Sequence, residues 1–108
     1  MPANKEENYV DHIRAVALEI AELLIKKDLE YGGSWLARGG VGAYMMKVRK
    51  SDRLEVQVKR SGYDIFAAIE RSQTDGSTEN LLDTLKDDVG YAILILAEAL
   101  VRSRRNVK

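Results

Sequence analysis

Between Asn8 and Tyr31 the apolar positions Val10, Ile13, Ala17, Ile20 and Leu24 recur every three or four residues, the period of an α-helix. Val16, Leu18, Leu23 and Ile25 widen that stripe around most of the circumference. The remaining polar wedge holds Glu19, Glu22, Lys26 and Glu30. A helix this apolar needs covering on more than one side, and a small domain rarely does that alone. The pattern therefore implies a homo-oligomer.

A Gly-rich loop, 32-GGSWLARGGVG-42, follows. A second helix is expected to start near Val41 and to include 44-YMMKVRKSDRLEVQVKR-60. Its end is ambiguous, because 54-LEVQVKR-60 alternates apolar and polar residues in the manner of a strand. A lone strand has no pairing partner in this chain, so helix is the consistent assignment. Gly62 should break it, 63-YDIFAAIERSQ-73 reads as a short amphipathic helix, and 74-TDGSTE-79 reads as a turn with Ser77 or Thr78 as N-cap. The final helix is expected from about Glu79 to Ser103, with a core stripe of Leu82, Leu85, Val89, Ala92, Ile93, Leu96 and Leu100. The sum is an all-α bundle of three long helices and one short one. It should form a single domain over residues 1–108, with disordered tails at 1–7 and 104–108.

Composition narrows the chemistry. Apolar residues make up 45% and charged residues 31% of the chain, values of a soluble globular protein. Lys plus Arg and Asp plus Glu number 17 each, so net charge gives no argument for a nucleic-acid or membrane partner. There is no Cys, which excludes disulfides and thiolate chemistry, and His12 is the one histidine. No signal peptide precedes the first helix, and the longest apolar run, Tyr91 to Val101, is broken by Glu98, so a cytoplasmic location is expected. Any reaction would belong to carboxylates, Lys, Arg and Tyr.

The last helix begins 79-ENLLDTLKDD-88, and this acidic start has two explanations. Asp near a helix N-terminus is favoured by the macrodipole, at about 0.3–1 kcal/mol each. Yet Asp83, Asp87 and Tyr91 share one face four residues apart, with Asp88 pointing elsewhere, and Asp87 lies beyond the reach of the dipole. If that face is buried, either a cation side chain or a divalent metal must offset the repulsion of its carboxylates. Asp52 sits on a face with Met45, Val48, Arg49 and Val56, and calls for either a pair with Arg49 or a metal. The Glu19, Glu22 and Glu30 wedge is either a solvated face or a third source of ligands. Oxygen ligands on converging helices suit Mg²⁺ or Mn²⁺, above all where phosphates complete the shell. Lys27, Lys47, Arg49, Lys50 and Arg53 supply cations for a polyphosphate, and Tyr31, Trp35 and Tyr44 supply rings for stacking on a base.

Taken in order, 27-KDLEYGGSW-35, 47-KVRKSDRLE-55 and 83-DTLKDDVGYAI-93 resemble the nucleotide modification associated domain 1 family, small proteins common in phages. The matching positions are Tyr31, Gly32, Ser34 and Trp35; Arg49, Asp52 and Arg53; and Asp83, Thr84, Leu85, Asp87 and Tyr91. The resemblance covers roughly residues 26–100 apart from 59–78. Three departures stand out: Glu30 replaces an Asp, Arg53 replaces a Lys, and a later Arg-Leu is replaced within 55-EVQV-58. The family is similar in helical make-up to MazG-like nucleoside triphosphate pyrophosphohydrolases, whose Glu-x-x-Glu pattern Glu19 and Glu22 fit.

The resemblance and the acidic faces together imply an Mg²⁺-dependent (deoxy)nucleoside triphosphate pyrophosphohydrolase. Asp52, Asp83 and Asp87 would hold the metal, with Glu22 or Glu30 as further ligand or general base. Lys47, Arg49 and Arg53 would neutralise phosphates, while Lys27, Tyr31, Trp35 and Tyr91 would complete the nucleotide site. Two other functions stay open: a non-catalytic protein that sequesters a nucleotide for a phage, and a purely structural helical oligomer.

Overall fold

The computed structural model describes residues 5–74 and 80–106, and over them the protein is all-α. Helix α1 spans Lys5–Tyr31, a single 3-10 turn covers Ser34–Leu36, and α2 spans Gly39–Arg60. The short α3 follows at Ile65–Thr74, and α4 at Leu81–Asn106. Three long helices and one short one are thus present, as the periodicity predicts. The alternating stretch 54–60 is helical to its end. Helical structure also continues over positions 5–7 and 104–106, within the segments expected as tails.

The chain divides into two compact units, Met1–Ser34 and Trp35–Lys108. The first consists of α1. Val10, Ile13, Val16, Leu18, Leu23, Ile25 and Leu29 of that helix are all exposed, so the breadth of its apolar surface is a property of the fold as well as of the pattern.

In the second unit α2 packs mainly on α4, and α3 touches both. The turn between α2 and α3 follows from one glycine. The Tyr63 amide donates to the Val58 carbonyl at 2.9 Å and the Gly62 amide to the Lys59 carbonyl at 3.1 Å, closing a Schellman cap. Gly62 supplies the left-handed residue, φ 66°, and Tyr63 itself sits at φ 67°. Asp64 then opens α3, its Oδ1 accepting from the Phe66 and Ala67 amides, both at 3.1 Å.

Two side chains fasten α3 in place. Arg71 donates to the carbonyl oxygen of Gln57 at 3.1 Å and to its side-chain oxygen at 3.3 Å, which ties α3 to α2. Ser72 Oγ accepts from the Leu81 amide at 3.2 Å, which ties it to the first residue of α4. Asn80 caps α4, its Oδ1 accepting from the Leu82 amide at 2.8 Å. The expected caps Ser77 and Thr78 lie outside the described residues.

The buried positions of these three helices are mostly small: Ala43, Ala68, Thr84 and Gly90, with Leu81 the one large apolar side chain among them. Small residues let helices approach closely but leave a thin core. The expected core stripe of α4 needs correcting here. Val89, Ile93, Leu96 and Leu100 are exposed. The reason is rotational: α4 turns buried Thr84 and half-buried Asp88 inward, and Asp88 reaches α2. The Val89–Leu100 stripe is thereby carried outward.

Candidate functional site

The polar seam between α2 and α4 is built from two short runs, 47-KVRKS-51 and 84-TLKDD-88. In a helix, positions three and four apart share a face. Lys47, Lys50 and Ser51 therefore line one side of α2, and Thr84, Asp87 and Asp88 one side of α4.

The closest contact is Lys47 Nζ donating to Asp88 Oδ1 at 2.9 Å. The same carboxylate oxygen lies 3.0 Å from Ser51 Oγ. That hydroxyl also lies 3.2 Å from the Lys47 carbonyl, and Lys47 Nζ lies 3.3 Å from Ser51 Oγ. Ser51 has one proton to give, and an ionised carboxylate is the stronger of its two acceptors. The result is a closed triangle of ammonium, hydroxyl and carboxylate. The side chains of Lys47 and Asp88 retain 30% and 17% of their exposure, so the pair is partly desolvated. Beside it, Lys50 Nζ and Asp87 Oδ2 are 3.3 Å apart, with 25% and 32% exposure. This is a looser and wetter pair.

The seam gathers some of the expected residues and leaves others out. Lys47 and Asp87 stand in it, and Tyr91 is half-buried one turn further along α4. Asp83 is exposed at the first turn of α4, where the helix dipole favours a carboxylate. Asp52 is exposed and makes no hydrogen bond or ion pair among the described residues, so of its two expected partners the Arg49 pair does not form. Met45 and Val56, the neighbours that suggested a buried face, are themselves half open to solvent. Arg49 and Arg53 are exposed on α2, Trp35 is half-buried, and Tyr44 is exposed. Glu22, Lys27, Glu30 and Tyr31 belong to the other compact unit and are exposed on α1.

Asp88 and Ser51 are the residues that sequence spacing underrates. Spacing along α4 points Asp88 away from the face of Asp83 and Asp87, yet it makes the tightest contact of the seam. The signal that could have found it is the shared spacing of Lys47, Lys50 and Ser51 against Thr84, Asp87 and Asp88, two matched faces of opposite charge.

Among the described residues no group of three or more His, Cys, Asp or Glu side chains is arranged to hold a metal ion. Mg²⁺, however, is commonly held by one or two carboxylates, with water and substrate phosphates filling the remaining positions. Asp87 and Asp88 are adjacent, and each is paired with an ammonium group of α2. No described helix is long and apolar enough to cross a membrane. Comparison with protein-family models, curated proteins and solved structures finds no match for this chain.

Proposed function

We propose that the α2–α4 seam binds a (deoxy)nucleoside triphosphate together with Mg²⁺ or Mn²⁺, and that the chain hydrolyses it to the monophosphate and pyrophosphate. One observation carries this reading. Two lysines and two aspartates face each other across the seam, partly desolvated, as matched ammonium–carboxylate pairs. A metal–triphosphate complex presents both complements of such a set: a cation for the carboxylates and phosphate oxygens for the ammonium groups. Exchange of partners would keep every charge compensated, which bare carboxylates facing a phosphate would not.

Lys47 and Lys50 would turn from Asp88 and Asp87 to the phosphates, and Arg49 and Arg53 stand nearby on α2. Asp87 and Asp88 would hold the cation, with Asp52 and Asp83 as outer carboxylates. The cation would lower the pKa of a bound water and so supply a nucleophile at neutral pH. Attack on the α-phosphorus would break the α–β anhydride bond and release pyrophosphate. Glu22 and Glu30 lie on α1, in the other compact unit, and oligomer formation is part of the proposal.

A second reading is favoured by a specific observation: the four charges are already paired without any ligand. In that case the seam is a structural latch, and the chain is a helical oligomer or a nucleotide-sequestering protein. The test is to incubate the purified chain with each dNTP and NTP, with and without Mn²⁺, and to measure pyrophosphate. The proposal expects metal-dependent release that falls about tenfold or more in Asp87→Asn, with helical content unchanged. Absence of release with every nucleotide removes the enzyme. A nucleotide co-purifying in that case leaves sequestration, and none leaves the latch.

A further inference from the structure

The outward face of α4 carries Val89, Ile93, Leu96 and Leu100, which are 39%, 36%, 60% and 51% exposed. Steps of four, three and four residues place them in one line, the spacing of a coiled-coil seam. No charge interrupts the line. Glu98 is the single charged residue from Val89 to Val101, and it is only half-exposed, accepting from Arg102 Nε at 2.8 Å. Ala97 and Ala99 flank the line and are exposed, so a second helix can approach closely. A solvated face would carry Lys, Glu or Gln at these positions.

The spacing also says what covers it. Four, three and four reads the same in both directions, so a second α4 running antiparallel brings the line into register with itself. Val89 then meets the partner's Leu100, and Ile93 meets the partner's Leu96. Each contact occurs twice, as a two-fold interface requires. The ends agree with this direction. Asp83 stands exposed at the N-terminal end of α4, and Arg104 and Arg105 at the C-terminal end; none of the three makes an ion pair among the described residues. Antiparallel pairing sets Asp83 beside the partner's Arg104 and opposes the two helix dipoles. Parallel pairing would stack like charge on like charge at both ends.

We infer that the chain self-associates through α4, with two copies pairing antiparallel along Val89, Ile93, Leu96 and Leu100. This inference does not depend on whether the α2–α4 seam binds a nucleotide, because the two faces of α4 are different.

Sedimentation equilibrium of the full chain should show a dimer or a multiple of it, and Leu96→Asp should lose that factor of two while keeping its helical circular dichroism. Because the chain has no cysteine, introduced thiols report the direction directly. Oxidation of a mixture of Val89→Cys and Leu100→Cys chains should give the mixed disulfide dimer, with little cross-linking of either variant alone. Three results overturn the inference: a wild type that is monomeric at all concentrations, an assembly that survives Leu96→Asp but is lost in Ile13→Asp, or efficient cross-linking of Val89→Cys to itself. Should Leu96→Asp fail to fold, Leu96→Ser gives the same reading from mass alone.

Discussion

Leu81→Ala is expected to lower the unfolding free energy by about 2–5 kcal/mol, the range for truncating a buried leucine to alanine. Leu81 is 2% exposed, and the other apolar side chains buried in α2, α3 and α4 are alanines. Its amide also donates to Ser72 Oγ, so it joins the start of α4 to α3 through both packing and a hydrogen bond. Small domains hold only about 5–15 kcal/mol in total. A loss of this size moves the urea midpoint far to the left, and the α3–α4 corner should open first in hydrogen exchange. A change below about 1 kcal/mol would mean that neighbouring side chains collapse into the site and that Leu81 is not the anchor.

The second large effect concerns the seam. Asp88→Ala removes an acceptor from both the Lys47 ammonium and the Ser51 hydroxyl. Hydrogen bonds to charged groups contribute about 1.5–3 kcal/mol, and the residual exposure of this pair reduces the figure, so about 1–2 kcal/mol of destabilisation is expected. Asp88→Asn keeps an acceptor without the charge and should cost less. A double-mutant cycle with Lys47→Met isolates the pair, with an expected coupling of about 1 kcal/mol that weakens as salt is added. Lys50→Met with Asp87→Asn should give a smaller coupling, because that pair is longer and wetter. Equal couplings for the two pairs would contradict the geometry.

These two predictions show where the sequence was legible. Helix number, the identity of each helix and the break at Gly62 all follow from local rules: period, glycine position and capping. The alternating stretch Leu54–Arg60 is helical, as expected where no strand is present to pair with it among the described residues. The facing of α4 did not. Periodicity identifies an apolar line, but not whether another part of the same chain covers it or a second molecule does. Thr84 and Asp88 face inward because α2 presents Lys47 and Ser51 to Asp88, contacts 41 and 37 residues apart in sequence that no spacing within α4 reveals. Asp52 likewise is open to solvent. Its apolar neighbours on α2 promised burial, but Met45 and Val56 are themselves exposed.

The thin core and the outward stripe belong together. On the proposed self-association, a fold that buries alanines while exposing Ile93, Leu96 and Leu100 would gain part of its hydrophobic stabilisation from assembly. Stability should therefore rise with protein concentration, as mass action requires of a self-associating chain.

Binding of Mn²⁺·dNTP by titration calorimetry, on wild type and on Lys50→Met and Asp87→Asn, tests the assignment of the α2–α4 seam most directly. Saturable binding that needs metal and nucleotide together, and that both substitutions weaken about tenfold or more, is the predicted result. Binding that neither substitution alters, or no heat with any nucleotide and metal, would leave those lysines and aspartates with nothing to hold but each other.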